Sequence, residues 1–157
     1  MIVFDYRAPS PALREYVRQY QIVGFSFAAT ITVPVKPYWP RPENCLTFYP
    51  RDTEYIEHVN GTKEKWKTRS TLVGQHSFVM NRQPEHDFLL FQVVFQPGAL
   101  FRLTGIPMQE LTNSFVDAEA VFSKEIRLVN ERLSSTGDYL EMINCCYAKL
   151  INKGKQS

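Results

Sequence analysis

The chain changes character over one short stretch, Val93-Val-Phe-Gln-Pro-Gly-Ala-Leu-Phe-Arg-Leu-Thr-Gly105. The apolar run from Phe88 to Phe95 leads into it and has the length and the β-branched and aromatic content of a strand buried on both faces. Pro97 and Gly98 then break the strand and allow a helix to start. We therefore expect a β-rich region up to Gly105 and helices after it.

Several segments before this stretch carry the composition of strands, and one carries a helix signal. Strands are expected over Ile22 to Phe27, Thr30 to Val35 and Leu46 to Tyr49, which are rich in β-branched or aromatic residues. Ser10 and Pro11 predict a helix start, followed by an apolar stripe of Leu13, Tyr16, Val17 and Tyr20. The dense prolines from Lys36 to Glu43 indicate a sheet edge or a rim loop.

The region after Gly105 has helical periodicity and predicts a hairpin of two amphipathic helices. Ile106 and Pro107 can open a short helix that runs through Leu111, and the residues from Phe115 to Phe122 look irregular. Ser123 is the expected N-cap of the first long helix. The apolar stripes of the two long helices are Phe122, Ile126, Val129 and Leu133, and then Tyr139, Ile143, Cys146 or Tyr147, and Leu150, with a break over Ser134 to Gly137.

Length and composition indicate one domain, because 157 residues with 44% hydrophobic content can fill a single core. Within it we divide a β-rich region, residues 1–105, from a helical arm, residues 106–157. The net charge of +2 gives no broad basic surface for nucleic acid. The three cysteines predict free thiols in a reducing compartment. Because no leader or long apolar run is visible, we expect a cytoplasmic protein without a membrane span.

Asn60-Gly61 predicts a β-hairpin with a tight two-residue turn, because this pair tolerates the positive φ angles that a type I′ turn needs. Such a turn would place Tyr55 opposite Trp66 and Glu57 opposite Glu64. Two carboxylates beside aromatic rings would suit a cationic or polyhydroxylated ligand. A slightly longer turn or a solvated rim would relieve the repulsion between the carboxylates without any ligand.

The second strand of this hairpin alternates basic residues, and they share one face by the period of two that strands have. These residues are Lys63, Lys65, Lys67 and Arg69. They belong in solvent, where they keep an exposed strand from pairing with another molecule. Docking of an acidic partner is the alternative.

Seven residues are candidates for a ligand pocket, chosen by side-chain chemistry and by strand face. They are Trp39, Arg41, Tyr55, Glu57, Glu64, Trp66 and His76. For His76, a position on the rim or surface is the alternative to a hydrogen-bonding role in the pocket. The histidines are too widely spaced to indicate a metal site, and no nucleophile elbow, phosphate loop or Cys-x-x-Cys pair is present. We expect no metal, no cofactor and no catalytic residue, although a metal-independent enzyme remains a third possibility.

Three short motifs are similar in order and spacing to a known family. Val94-Val-Phe-Gln-Pro-Gly-Ala-Leu-Phe-Arg-Leu-Thr-Gly-Ile-Pro-Met-Gln-Glu-Leu111, with Pro9-Ser-Pro-Ala-Leu-Arg-Glu-Tyr-Val17 and Leu72-Val-Gly-Gln75, resembles the N-terminal domain of AraC-type transcriptional regulators. The resemblance covers Tyr6 to Leu150. It implies a cupin-like β-barrel that senses a small molecule, followed by helices that dimerise. The family's helix-turn-helix DNA-binding part would follow this region and is not found in this chain.

Together these expectations describe the sensing and dimerisation part of a regulator, mainly β with α, in which a cupin-like barrel precedes a helical hairpin. The expected partners are a small-molecule effector and a second copy of the chain, while DNA would be contacted only through a separate domain. The dimer contacts would come from the second long helix, through Tyr139, Ile143, Cys146, Tyr147 and Leu150, although each could instead pack on the barrel. The main alternative is a stand-alone cupin-like binding protein with no role at DNA.

Overall fold

The computed structural model describes residues 2–58, 60–122, 124–138 and 140–146. These residues form two antiparallel sheets that face each other, with helices on the outer side of the larger one. The strands are β1 (Ile2–Arg7), β2 (Val17–Ser26), β3 (Lys36–Tyr38), β4 (Cys45–Phe48), β5 (Glu54–Glu57), β6 (Lys63–Lys65), β7 (Ser70–Val73), β8 (Met80–Pro84), β9 (Asp87–Phe95) and β10 (Phe115–Asp117). The fold is therefore mainly β, as the sequence predicts.

The large sheet has the strand order β1-β2-β9-β4-β7-β10, and the small sheet has the order β3-β8-β5-β6. In the described part of the chain, no ladder of paired strands joins β1 to β3 or β10 to β6. The expected barrel is thus an open sandwich of two sheets. We call the gap between the edge strands β1 and β3 the seam.

Strand β9 pairs with β2 on one side and β4 on the other, and all its residues except Asp87 are buried. This confirms the strand expected over Phe88 to Phe95. Its alternate side chains enter different environments. We call the side that packs against the helices the helix face, and the side turned to the small sheet the cavity face.

The helices after β9 are α1 (Ala99–Thr104), α2 (Met108–Leu111), α3 (Ala118–Phe122) and α4 (Lys124–Ser135), and residues 140–146 are also helical. Gly98 and Gly105 bound α1 at φ of 76° and 75°, a left-handed backbone that favours glycine. Apolar residues of all these helices join one core with the helix face. The break at Pro97-Gly98 and the short helix ending at Leu111 are confirmed.

The helix predicted from Ser10 is wrong. The structure has only a short 3₁₀ turn, Pro11–Leu13, before strand β2 begins at Val17. Both faces of β2 are covered, so its buried residues do not alternate with polar ones, and Leu13, Tyr16, Val17 and Tyr20 happen to match a helical spacing as well. Pairing with β1 and β9 decides the conformation.

Two further expectations about local structure are wrong. Residues 30–35 form no strand; instead, the Gln83 side chain donates a hydrogen bond to the Val33 carbonyl. The segment expected to be irregular holds β10 and α3, because β10 adds to the edge of the large sheet beside β7. By contrast, the proline-rich segment lies at a sheet edge as predicted, since β3 is the outer strand of the small sheet.

The structure places the predicted dimer residues that it describes against the chain's own core. Cys146 is buried there, and Ile143 is half-buried beside it. Tyr139, Tyr147, Leu150 and the expected N-cap Ser123 lie outside the described residues. Dimerisation through this helix stays a prediction. The cysteines Cys45, Cys145 and Cys146 are free and buried, and burial raises the pKa of the Cys45 thiol to about 12.

Candidate functional site

A cavity of about 190 Å³ lies between the two sheets and reaches the seam. The large sheet lines it with residues of β1, β2 and β9, and the small sheet with residues of β3, β5 and β8. Its lining residues are Phe4, Gln21, Val23, Phe25, Lys36, Pro37, Tyr38, Arg41, Glu54, Arg82, Pro84, Phe88, Leu90 and Gln92. The volume is below the ~300 Å³ at the lower end of drug-sized pockets, so the cavity fits a small molecule.

A buried ion pair between Arg82 and Glu54 forms the small-sheet wall of the cavity. The Arg82 Nε donates to Glu54 Oε1 at 2.8 Å, and its Nη2 donates to the same oxygen. Tyr49 completes the group, because its hydroxyl donates to Glu54 at 3.0 Å and accepts from Arg82 at 3.2 Å. Glu54 is only 2% exposed. Charges buried this deeply are tolerated when they are paired and hydrogen-bonded.

The pKa values of Arg82 and Tyr49 are shifted in directions that keep this network intact. Burial alone would lower the pKa of Arg82, but the adjacent Glu54 carboxylate holds that pKa above its usual value. Burial and the same carboxylate raise the pKa of the Tyr49 hydroxyl well above its usual value. Arg82 therefore stays charged and Tyr49 stays protonated across the physiological range of pH.

Tyr38 of the edge strand β3 links the buried network to the seam. Its ring centre lies 4.5 Å from the guanidinium carbon of Arg82 and 5.5 Å from that of Arg41, within cation–π range of both. Lys36 lies on the same strand, β3, and its ammonium is 5.0 Å from the centre of the Phe25 ring. Two cations thus stand at the opening of the cavity beside aromatic rings.

The large sheet contributes two amides to an otherwise apolar wall. Gln21 of β2 and Gln92 of β9 are direct partners in the strand register, so both side chains point to the cavity face. The Gln92 amide nitrogen donates to Thr47 at 2.9 Å. Gln21 is 7% exposed, and its amide oxygen has no hydrogen-bond partner among the described residues.

Of the seven residues chosen from the sequence, Arg41 lines this cavity. Trp39 follows β3 and is 65% exposed to solvent. Tyr55 is 38% exposed and lines a separate open groove together with Lys65 and Glu85. Neither of these aromatic residues contributes to the space between the sheets.

The hairpin that holds Glu57 and Glu64 differs from its prediction by one residue of register. Tyr55 pairs with Lys65 and Glu57 pairs with Lys63, so the expected pairings with Trp66 and Glu64 are wrong. The His58 carbonyl accepts from Gly61, and the His58 amide donates to Thr62, which makes a three-residue loop in place of the type I′ turn. Within the described residues of this loop, only Gly61 has positive φ, at 84°.

The longer loop removes the repulsion expected between the two carboxylates, since Glu57 now faces a lysine across the ladder. Glu64 lies on the solvent side, with its carboxylate 3.1 Å from His58 Nε2. This corresponds to the alternative in which a slightly longer turn relieves the clash.

Trp66 and His76 lie close to Phe115 of β10 and are not among the residues that line the cavity, although Trp66 packs against the apolar cluster of Phe25, Tyr49, Phe88 and Leu90. The Trp66 indole donates to Thr71 at 2.7 Å, and its ring lies 5.3 Å from that of Phe115. His76 is buried, with Nδ1 2.8 Å from the Gly74 carbonyl and its ring 4.7 Å from Phe115. Burial lowers the pKa of His76, partly offset by that backbone contact. His76 also lines a shallow surface hollow beside Arg41 and Gln75.

Sequence reasoning missed the polar residues that define the cavity, namely Gln21, Glu54, Arg82 and Gln92. Gln92 gave a usable signal, because it interrupts the apolar run from Phe88 to Phe95 in a strand expected to be buried on both faces. A polar residue in such a strand needs a specific partner. Glu54 and Arg82 gave no such signal, since charged residues in short strands usually face solvent.

Neither a metal site nor a membrane-spanning helix is found in the part of the chain that the structure describes. No three His, Cys, Asp or Glu side chains there come close enough together to hold a metal ion. No helix within residues 2–58, 60–122, 124–138 and 140–146 has the length and apolar content needed to cross a membrane.

Comparison with known proteins identifies the family and shows distant likenesses to solved structures. No curated protein sequence matches the chain. Among solved structures, the 11S allergen from Cocos nucifera L. is 14% identical, with a TM-score of 0.39 over 84% of this chain and 36% of the allergen chain. The family model described as a domain of unknown function, DUF6597, matches residues 6–117, which include every strand from β2 to β10. The chain therefore belongs to the DUF6597 family.

Proposed function

We propose that this domain binds a small molecule in the cavity between its sheets, without turning it over, and that binding is the sensing step of a transcription regulator. The observation that carries the proposal is the amide oxygen of Gln21. It is buried on the cavity wall and has no hydrogen-bond partner among the described residues. A buried acceptor left unpaired costs about 1–3 kcal/mol, so a ligand that donates a hydrogen bond to it gains affinity.

The regulatory part of the proposal is supported by the two faces of β2 and β9. Gln21 and Gln92 project to the cavity, while Tyr20, Ile22 and Phe91 project from the same strands into the core shared with the helices. A ligand that prefers one arrangement of these strands would shift the population of helix positions behind them. The resemblance to AraC-type regulators, which extends from Tyr6 to Leu150, supports a role in dimerisation for the helical arm, with its second long helix as the expected interface.

The test is a thermal unfolding screen of the protein with a panel of metabolites. A ligand present at 100 times its dissociation constant should stabilise the fold by about 2.7 kcal/mol. Gln21→Leu should weaken every true hit, because it removes the unpaired acceptor. Gln109→Leu is the matched control, since Gln109 is exposed on α2, and it should leave binding unchanged.

Three outcomes would change the proposal. A panel in which no compound stabilises the protein, or in which Gln109→Leu weakens binding as much as Gln21→Leu, would remove the cavity as the site. Chemical conversion of a hit would point to an enzyme. Binding that leaves the oligomeric state unchanged, measured by sedimentation with and without the hit, would favour a stand-alone binding protein over a regulator.

A further inference from the structure

We infer that the ligand of this cavity is a small carboxylate with an apolar, ring-sized body and a hydrogen-bond donor at its far end. This inference rests on the proposed binding function and adds the chemical class of the ligand. It differs from the cationic or polyhydroxylated ligand that the sequence suggests, because that expectation depended on Glu57 and Glu64, which do not line the cavity.

The charge of the lining is the first argument. Its charged side chains are Lys36, Arg41, Arg82 and Glu54, so three cations face one carboxylate and leave a surplus of two positive charges. Glu54 is already satisfied by Arg82 and Tyr49. A cationic ligand would therefore meet net repulsion, whereas an anion would meet uncompensated positive charge.

The position of that surplus is the second argument. Arg82 is held in the wall by Glu54, so the surplus lies with Arg41 and Lys36 at the seam. Among the described residues, Arg41 contacts the ring of Tyr38, and Lys36 contacts the ring of Phe25. Both can add charge-assisted hydrogen bonds to a carboxylate at the mouth without breaking an ion pair.

The interior gives the remaining part of the ligand. Behind the cations lie apolar side chains of the large sheet, Val23, Phe25, Phe88 and Leu90. These suit a flat hydrophobic body through burial and ring contact. Gln21 adds an acceptor on the same wall. A molecule that fits has its carboxylate at the seam, its body against the phenylalanines and a hydroxyl or amine directed at Gln21.

The experiment compares three probes with one body and three charges: 4-hydroxyphenylacetate, its neutral amide 4-hydroxyphenylacetamide, and the cation tyramine. Binding to the whole chain is measured by titration calorimetry at low salt. The carboxylate should bind about tenfold more tightly than the amide, and tyramine should bind more weakly than either. Raising the salt concentration should weaken binding of the carboxylate and leave that of the amide nearly unchanged.

Variants at the mouth locate the effect, and they avoid the buried pair whose loss would threaten folding. Arg41→Met and Lys36→Met should each bring the affinity for the carboxylate towards that of the amide. Arg14→Met and Lys67→Met are matched controls, since both residues are exposed and neither lines the cavity, and they should keep the preference.

The outcomes separate this inference from the function on which it rests. Equal binding of the acid and the amide, or preference for tyramine, would overturn the carboxylate class while leaving small-molecule binding in place. A preference for the acid that survives both mouth variants would also overturn it. If none of the three probes binds while a metabolite of another class does, the inference fails alone; if nothing binds at all, the proposed function fails with it.

Discussion

The two faces of the large sheet are built from the same strands and have opposite characters. On the helix face, side chains such as Tyr20, Ile22 and Phe91 belong to one continuous apolar core that extends into the helices. On the cavity face, the alternate residues Gln21 and Gln92 are polar, and the wall opposite them holds the Arg82–Glu54 pair. One face is filled and the other keeps a hollow.

The difference shows that neighbouring residues of one strand have different roles: one stabilises the fold, and the next can contribute to binding. The helix face buries most of the large side chains that are fully excluded from solvent, which is the main source of folding free energy. The cavity face gives up part of that burial and keeps groups that can recognise a ligand. Substitutions at neighbouring positions should therefore have unequal effects.

The largest effect is expected for Phe91→Ala. Phe91 is fully buried, and its ring lies 5.8 Å from Tyr20 and 6.1 Å from Phe48. Its removal should lower the free energy of unfolding by about 3–5 kcal/mol, measured by urea denaturation. Phe88→Ala is the matched comparison on the cavity face and should cost less, because Phe88 already borders a hollow. Equal losses would contradict the division between the faces.

A smaller loss is expected for Arg82→Met, which leaves the Glu54 carboxylate buried without its partner. The expected cost is about 3 kcal/mol, at the low end for a broken buried pair because water can enter through the seam. The double variant Arg82→Met with Glu54→Gln should recover part of this loss. If the double variant is less stable than the single one, the two residues are not coupled in the way their contacts indicate.

The smallest effect concerns the acid side of the stability curve. Because burial lowers the pKa of His76, the unfolded chain takes up its proton more readily than the folded protein does. The stability tied to this residue is complete above the ordinary histidine pKa of about 6.5 and is lost as the pH falls through the lowered value. His76→Gln should flatten the decline in stability as the pH falls below about 6.5. A steeper decline in the variant would refute it.

The sequence is sufficient to predict an element when nearly all of its residues are apolar and its end is marked by a clear break. The run from Phe88 to Phe95 can only be a central strand or a buried helix, and Pro97-Gly98 settles its end. The start at Ser10 misleads, because a strand covered on both faces loses the alternation that distinguishes it from a helix. At Asn60-Gly61 the hairpin is right but the loop is one residue longer, which exchanges every cross-strand partner.

The cavity depends on contacts that no local pattern encodes. Glu54 and Arg82 lie far apart in the chain and become an interior pair only when β5 and β8 align side by side. Until that register is known, both look like ordinary surface charges. Arg41 is the exception among the candidates, because a cation on a proline-rich edge was expected at a rim and is found at one.

The seam between β1 and β3 has a consequence for the speed of exchange. A closed barrel would admit a molecule only while its strands part, so that opening would limit the rate of association. Here the route from solvent is already present, with the exposed ring of Phe4 at its border. Entry should therefore proceed close to the rate of diffusive encounter, and the lifetime of the bound state should set the affinity. The occupancy of such a pocket should therefore rise promptly when the ligand concentration rises, without a delay for opening of the fold.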